Sequence, residues 1–323
     1  MDFDIVSFVN ALPGACSVGI LWGLMTLGVY LTFRVLNIAD MTCDGSFVLG
    51  SAVCAVMITS GYGPGISLLA AFGTGMIAGF ITGFLHTKLK MHELLAGILT
   101  MTALFSINLR IMGKPNVSLA STYMNKDHTL ITNLQAAASN YFDLTLSINA
   151  ATLIIGGLLC VLIVLVLYLF LGTEIGSSIR ATGSNPKMVR AMGVDTDKMI
   201  ILGLMISNGV IALSGAFVSQ YQRFADINGG TGTLVQGLAS IVIGEALFGW
   251  FAKRLSFWFT LASVILGTVV YRIVIAVVLQ LGLPSGDMKM LTSMIITIAL
   301  AVPIIKGLIR NYAARYRANG GLN

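Results

Sequence analysis

The chain is built mainly of apolar runs that are about as long as a lipid bilayer is thick. Two examples are "ATLIIGGLLCVLIVLVLYLFL" at 151–171 and "IILGLMISNGVIALSGAFV" at 200–218. A helix needs about 20 predominantly apolar residues to cross the hydrocarbon core. Only 10% of the 323 residues are charged, whereas roughly a quarter are charged in soluble domains. The sequence therefore predicts an all-α, polytopic membrane protein.

We predict about nine transmembrane segments in a single transmembrane domain that takes in residues 1–323. Two of them, at 44–61 and 233–250, are short and rich in glycine. We expect the helices at these two places to be broken or re-entrant. The nine segments lie near residues 12–35, 44–61, 65–86, 93–113, 147–171, 199–222, 233–250, 256–281 and 288–307.

The basic residues predict how the chain is oriented. The N-terminal stretch "MDFDIVSFVNALPG" has no basic n-region, so the first apolar run is expected to remain as a helix rather than to be cleaved. Placing the N-terminus outside puts most lysines and arginines on the cytoplasmic side, as the positive-inside rule requires. Residues 172–199 and the basic tail at 306–323 are then cytoplasmic, and the long connection at 114–146 faces outward.

A short, bounded helix is predicted inside the polar segment 172–199. In "SNPKMVRAMG", Ser184 or Asn185 suits the N-cap and Pro186 suits the first helical position. Gly193 suits the left-handed residue that follows a helix end. Two helical turns are only about 10 Å long, so this helix cannot cross a bilayer.

The faces of this short helix allow two interpretations. Met188, Val189 and Met192 are spaced to share one face, while Lys187 and Arg190 lie three residues apart on another. Such a helix offers apolar and basic contacts to a cytoplasmic partner. A basic helix that lies on anionic lipid has the same pattern.

The whole polar segment resembles a loop of known transporters. "EIGSSIRATGSNPKMVRAMGVDTDKM" is similar to the cytoplasmic loop of permease subunits of ABC importers for branched-chain amino acids, ribose and nucleosides. That loop typically reads G-x-x-x-R-A-x-G-x-N-P-x-x-A-x-x-x-G-I. Val189 and Val194 stand where the family often has Ala and Ile. The matching residues are Gly176, Arg180, Ala181, Gly183, Asn185, Pro186 and Gly193.

Two further stretches carry the same resemblance. "LTFRVLNIADMTCDGSFVLGSAV" is similar to an early segment of the family, and "GTGTLVQGLASIVIGEALFGWFAKR" to a later glycine-rich one. Glu245 stands where that later segment usually has a second glycine. The overall pattern also resembles a subgroup of such permeases proposed to import aromatic amino acids.

The resemblance implies a type II ABC importer-like permease in the bacterial cytoplasmic membrane, with its C-terminus in the cytoplasm. It implies two copies of an ATP-binding subunit that carry ATP and magnesium, and an extracytoplasmic substrate-binding protein. It also implies a second permease within membrane lipid, as a second copy in a homodimer or as the other member of a related pair. The chain itself is expected to bind no cofactor, metal or nucleic acid and to be no enzyme, since it has no phosphate-binding G-x-x-x-x-G-K-[ST] motif. The implied contacts to the ATP-binding subunit are Glu174, Gly176, Arg180, Gly183, Asn185, Pro186, Lys187, Met188, Val189, Arg190, Met192 and Gly193.

Polar residues within or beside the apolar runs are candidates for the translocation path of a small polar, amino-acid-like solute. Asp40 and Asp44 belong either to a broken helix that lines the path or to a capping turn at the cytoplasmic edge. "RFADINGGTGTLVQGLAS" faintly repeats "LNIADMTCDGSFVLGSAV", and inverted repeats with interrupted helices are common in transporters. The full set of candidates is Asn37, Asp40, Asp44, Ser46, Asn228, Glu245 and Arg272.

Arg272 is the one cation well inside a predicted span. It is expected either to pair with Glu245 or to extend toward an interface. Gly75, Gly79 and Gly83 form a stripe of small residues, which predicts close helix packing.

The alternative function is an ion-coupled secondary transporter. Such a transporter would need a relay of carboxylates or histidines inside the spans, and the apolar runs hold very few.

Overall fold

The computed structural model describes residues 5–119, 129–142, 147–255 and 257–280, with residues 290, 293, 294, 297 and 301 beyond them. Nearly all of the predicted ninth span at 288–307 and the whole tail at 306–323 lie outside the described residues. The described chain is almost entirely helical, with one π-helical turn at Leu31–Val35. Its elements are α1 Ile5–Tyr30, α2 Thr42–Thr59, α3 Pro64–Thr87, α4 Glu93–Met112, β1 Asn116–Ser118, α5 Leu130–Phe142, α6 Ile148–Gly172, α7 Glu174–Ser184, α8 Pro186–Ala191, α9 Thr196–Gln222, β2 Phe224–Asp226, α10 Thr233–Leu255 and α11 Phe257–Gln280.

The helices confirm the prediction of an all-α membrane protein. Seven helices within the described residues are long and apolar enough to cross a bilayer, and the apolar part of α10 at 233–248 is shorter. Eight of the nine predicted segments coincide with these helices. The predicted outer connection contains more than a loop, because β1 and α5 lie within residues 114–146.

Helix α9 is the central helix of the bundle, and α1, α2 and α3 pack against it. The glycine stripe on α3 lies against this helix, as predicted. A Cβ atom on Gly75, Gly79 or Gly83 would meet the α9 backbone between Ile201 and Asn208. Small residues are needed here because the two backbones touch.

The two ends of the bundle differ in what they carry. We call one the α8 end, since α8 precedes the first residue of α9 there. The other is the ribbon end, where β1 pairs antiparallel with β2 and Val117 lies opposite Ala225. Helix α9 runs from the α8 end to the ribbon end.

Two helices begin near the middle of the bundle. The first turn of α2 lies at the level of Asn208, near the midpoint of α9, because the Ser46 hydroxyl donates to the Asn208 Oδ1 over 2.7 Å. Helix α10 begins at the same level, because Asp44 accepts from the backbone N–H of Leu234. We call this meeting point, formed by residues 40–46 and 230–234, the N-terminal junction.

From the junction the two helices run in opposite directions. Helix α2 extends to the ribbon end, where Gln220 of α9 donates to the Cys54 sulfur. Helix α10 extends toward the α8 end, where Glu245 pairs with Arg34. The segments predicted as broken or re-entrant at 44–61 and 233–250 are thus each one continuous helix, α2 or α10, that begins inside the bundle. The two stretches that resembled each other both lead into the junction. Of the two places expected for Asp40, the cytoplasmic edge is wrong, because Asp40 reaches the middle of α9.

Candidate functional site

Helix α8 has the boundaries that the local residues predict. Asn185 is its N-cap, and the side-chain Oδ1 accepts a hydrogen bond from the Met188 N–H over 3.1 Å. Pro186 occupies the first helical position. Gly193 adopts φ 85° just beyond the helix, a left-handed conformation that favours glycine. The alternative cap, Ser184, is instead the last residue of α7.

Two methionines are exposed along α8, Met188 within the helix and Met192 at its C-cap. The side chains of Met188 and Met192 are 47% and 73% exposed, and Lys187 beside them is also exposed. Val189 is 3% exposed, so its predicted place on the methionine face is wrong. Each helical residue is rotated by about 100° from the one before it, and this rotation turns Val189 toward the bundle.

Arg190 connects α8 to the start of α9. Its Nη2 atom donates to the Thr196 hydroxyl over 2.7 Å, and the guanidinium lies 3.6 Å from the Asp197 carboxylate. The side chain itself is 70% exposed. Arg190 therefore fixes the turn between the two helices and leaves part of its guanidinium open.

Asp195 caps α9 beside this turn. Its Oδ1 accepts from the backbone N–H groups of Asp197 and Lys198. The bond from the Lys198 N–H is the main reason that the pKa of Asp195 lies below its usual value. The cap is therefore present at neutral pH, and it is lost only when the pH falls through that lowered pKa.

Helix α7 is an element that we did not predict. Thr173 caps it by accepting from the Gly176 N–H over 3.2 Å. Its two glycines face other backbone: a Cβ on Gly176 would meet Phe170 and Leu171, and one on Gly183 would meet Val35 and Leu36. These glycines of the sequence motif thus seat α7 against the bundle.

Two charged residues of the predicted coupling segment lie along α7. Glu174 is exposed in its first turn. The Arg180 guanidinium lies 5.6 Å from the centre of the Phe257 ring at the start of α11. Arg180 therefore contacts the membrane domain, while the exposed side of its guanidinium stays open.

The contact at Gly183 connects the α7–α8 segment with the N-terminal junction. Leu36 follows the π-helical turn and also lies against Gly203 of α9. Only three residues separate Leu36 from Asp40. A displacement of α7 would therefore act on the segment that leads into the junction.

A buried polar network holds one side of the junction. Asp40 is 1% exposed, and its Oδ2 accepts from the Asn208 amide nitrogen over 2.7 Å while its Oδ1 accepts from the Thr42 N–H. The amide oxygen of Asn208 accepts in turn from Ser46. We did not single out Asn208 in the sequence, although an asparagine inside the apolar run "LMISNGVIAL" is a signal for such a network.

Asp44 holds the other side of the junction by capping α10. Its carboxylate accepts from the Gly232 N–H over 2.9 Å, from the Thr233 hydroxyl over 2.6 Å and from the Leu234 N–H over 3.0 Å. A negative charge at a helix N-terminus is stabilised by the free N–H groups and the helix dipole. The capping role is as expected, but the capped helix lies nearly 190 residues along the chain, and the cap lies inside the bundle rather than at its edge.

The remaining path candidates do not join the junction network. Asn37 is an exposed turn residue with φ 57°, and Asn228 is exposed in the turn before α10. Glu245 forms an ion pair with Arg34. The predicted pairing of Glu245 with Arg272 is therefore wrong.

Arg272 lies against α1 and α10. Its Nη2 donates to the Gln236 Oε1 over 3.2 Å, and its guanidinium carbon is 4.0 Å from the centre of the Trp22 ring. The face of an aromatic ring attracts a cation, which partly offsets the cost of burying this guanidinium. In the part of the chain that the structure describes, the His, Cys, Asp and Glu side chains form no group of three that could hold a metal ion.

Comparison with known proteins identifies the family of the chain. A family described as "Branched-chain amino acid transport system / permease component" matches residues 13–301. The tyrosine transport system permease protein of Clostridioides difficile is 38% identical over 278 residues, which cover 86% of each chain. The autoinducer 2 import system permease protein LsrC of Salmonella paratyphi B is 26% identical over 68% of this chain and 59% of its own. No solved structure matches the chain significantly.

These similarities set aside the ion-coupled transporter. They agree with the seven candidate spans and place the chain in the inner membrane as a multi-pass protein that moves small solutes. The chain is thus the permease subunit of an ABC importer, and it belongs to the family of branched-chain amino acid transport system permease components.

Proposed function

We propose that this permease imports an amino-acid-like solute by alternating access, driven by two copies of an ATP-binding subunit that dock on α8. The observation that carries the proposal is the exposed pair Met188 and Met192 on a capped helix too short to cross a membrane. Exposed apolar side chains beside a charge are typical of an interface that another protein covers.

The close packing of α7 against the bundle supports a role for α8 in transmitting motion to the membrane domain. Gly183 touches the backbone at Val35 and Leu36, and Arg190 ties α8 to the first turn of α9. When the ATP-binding subunits close on ATP, the docked helices move as rigid bodies. The contact at Leu36 transmits that motion toward Asp40. The N-terminal junction then rearranges, and the translocation path closes at one end of the bundle and opens at the other.

The charge distribution supports an orientation for the assembly. The α8 end carries Lys88, Arg180, Lys187 and Lys198, so it faces the cytoplasm by the positive-inside rule. The N-terminus is then outside and the C-terminus in the cytoplasm. An extracytoplasmic substrate-binding protein delivers the solute to the ribbon end, and a second permease copy completes the path as a homodimer.

The relatives support an amino acid as the solute. The family description names branched-chain amino acids, and a relative that is 38% identical is named for tyrosine transport. We propose an amino acid, with an aromatic one as the first to test. ATP and magnesium bind the partner subunits, since this chain has no phosphate-binding loop.

The docking proposal is tested by capture of the ATP-binding subunit. The permease and the ATP-binding subunit are co-expressed and purified in detergent through a tag on the permease. In the test variant, Met188→Asp is combined with Met192→Asp, which places two carboxylates on the docking face without touching Arg190. The control is Tyr62→Asp, since Tyr62 is 57% exposed beyond the end of α2, far from α8 along the bundle.

We expect the native chain and the control to retain the ATP-binding subunit and the double variant to lose it. Gel filtration of the permease alone is the control that checks whether the double variant is still folded. If the double variant retains the subunit as well as the native chain does, α8 is not the docking helix.

A further inference from the structure

A cavity of 230 Å³ lies beside the N-terminal junction. It is bounded by α2, α4 and the turn before α10, and its apolar side includes Val48, Met101 and Phe105. Typical ligand pockets have volumes of about 300–1,000 Å³. The cavity is therefore large enough for only a small solute or for one end of a larger solute.

Two hydroxyl groups on its polar side have already donated their hydrogen atoms. The Thr102 hydroxyl donates to the main-chain oxygen of Ile98 over 3.0 Å, and the Thr231 hydroxyl donates to that of Asn228 over 2.9 Å. Both threonines line the cavity. Because a hydroxyl has one hydrogen, these side chains can offer a ligand only their oxygen lone pairs.

Asn108 supplies a third oxygen acceptor. Its amide nitrogen donates to the main-chain oxygen of Gly45 over 3.2 Å, which fixes the orientation of the amide. Asn108 lines the cavity and is 1% exposed, yet its Oδ1 has no hydrogen-bond partner among the described residues. A buried acceptor without a donor is unfavourable, so a ligand that brings a donor would be stabilised here.

Asp44 gives the cavity a negative charge. Its Oδ2 accepts one hydrogen bond, from the Gly232 N–H, and a carboxylate oxygen has room for about two. Among the residues that the structure describes, no lysine or arginine lines the cavity. The polar side of the cavity is therefore one carboxylate and several neutral acceptors, and the ligand group that fits it is a cation with several donors.

We propose that this cavity is a subsite for the ammonium group of the transported solute, with Asn108 and Asp44 as the acceptors. The subsite rests on the proposed function, in that the solute is an amino acid. The ammonium group lies between Asn108 and Asp44, and the apolar part of the solute packs against Met101 and Phe105. An anionic end of the solute is excluded, because it would face only acceptors.

The test measures the electrostatic preference of the cavity in the permease alone. Thr231→Cys places a thiol at the mouth of the cavity, since Thr231 lines the cavity and is also exposed to solvent. The matched control is Thr59→Cys, an exposed position at the end of α2. Cys16→Ser is included in both, because the other native cysteines, Cys43, Cys54 and Cys160, are buried.

The purified variants are labelled with cationic aminoethyl methanethiosulfonate or with anionic sulfonatoethyl methanethiosulfonate. We expect the ratio of the cationic to the anionic rate to be at least about tenfold higher for Thr231→Cys than for Thr59→Cys. Equal ratios at the two positions, or a preference for the anionic reagent, would overturn the proposal.

A competition experiment tests the role of Asn108 itself. Phenethylamine has the ammonium group without a carboxylate, and phenylpropionate has the reverse. We expect phenethylamine to slow the labelling of Thr231→Cys and phenylpropionate to have no effect. Adding Asn108→Leu should abolish the protection, while Asn108→Asp, which keeps an acceptor, should preserve it. Protection that survives Asn108→Leu would overturn the assignment of Asn108.

These measurements need no ATP-binding subunit, so their failure is distinct from a failure of the proposed function. If the ATP-binding subunit docks on α8 but the cavity shows no preference for cations, only the subsite is wrong.

Discussion

Single polar side chains allow α2 and α10 to begin next to each other inside an apolar bundle. Asp40 is buried near the middle of α9, and the Asn208 amide is the side-chain donor to its Oδ2. A buried carboxylate that loses such a partner is strongly destabilising. Asn208 therefore has a structural reason to lie within the apolar run at 200–218, because it stabilises the buried carboxylate of Asp40.

We predict that Asn208→Ala lowers the stability of the permease by roughly 3 kcal/mol or more, because Asp40 then has no donor for its Oδ2. The measurement is thermal or denaturant unfolding in detergent. Asn228→Ala is the matched control, since Asn228 is exposed, and it should change stability little. Adding Asp40→Asn to Asn208→Ala should restore part of the loss; if it does not, the buried charge is not the cause.

The ion pair of Arg34 with Glu245 should contribute far less. The two side chains are 44% and 34% exposed, and exposed pairs are worth about 0.2–1 kcal/mol. We expect Glu245→Gln to lower the unfolding free energy by less than about 1 kcal/mol, with the effect vanishing at high salt. A loss as large as that of Asn208→Ala would mean that the pair has a structural role that its exposure does not indicate.

Local residues could be predicted from the sequence, but distant partners could not. Asn185, Pro186 and Gly193 follow from capping rules that act within one helical turn, and the structure confirms them. The partner of Glu245 is 211 residues away in the chain. Such a pairing depends on how the helices pack, so the sequence left two interpretations of Arg272 open, and the one that paired it with Glu245 was wrong.

At the scale of helices, glycine makes an element harder to predict from the sequence but allows it to pack closely in the structure. Helix α7 holds Gly176 and Gly183 within 11 residues, and glycine is a poor helix former. The sequence therefore gave little reason to expect a helix there. In the structure the same glycines allow α7 to touch the backbone of the bundle.

We predict that Gly183→Ala weakens coupling without preventing docking. The added Cβ would meet the Val35 and Leu36 backbone, so α7 must shift away from the segment that leads to Asp40. The expected result is normal capture of the ATP-binding subunit with reduced transport for each ATP hydrolysed, measured in proteoliposomes. Gly172→Ala is the control, because a Cβ there meets nothing within 4 Å. Unchanged transport in Gly183→Ala would show that α7 does not transmit the motion.

The glycine stripe on α3 allows a second comparison on one helix. A Cβ at Gly79 would meet the Leu204 backbone, whereas one at Gly73 meets nothing within 4 Å. We expect Gly79→Ala to cost about 1–3 kcal/mol of stability, the usual range for overpacking. Gly73→Ala should be neutral or slightly stabilising, since alanine is the better helix former. Equal effects in thermal unfolding would contradict the close approach of α3 and α9.

For the molecule as a whole, the sequence predicted the class of fold and the number of helices better than their arrangement. Apolar runs report that a helix lies in lipid, and eight predicted spans coincide with helices. They do not report the depth at which a short helix begins. The meeting of α2 and α10 therefore emerged only from the contacts of Asp44 with residues 232–234.

The proposed docking surface and the candidate path lie in different parts of the bundle. The exposed methionines lie on α8, and the junction lies near the middle of α9. Leu36 is the structural connection between them, through its contacts with Gly183 and Gly203. The proposed mechanism requires such a connection, since it places ATP hydrolysis on another chain.

The most direct test of this account is solute uptake into proteoliposomes that contain the permease and its ATP-binding subunit. Radiolabelled tyrosine and the substrate-binding protein are placed at the ribbon end, and ATP with magnesium is placed at the α8 end. The account predicts accumulation that requires ATP and is lost when Met188→Asp and Met192→Asp are combined. Accumulation that follows a proton or sodium gradient in the absence of ATP would contradict it.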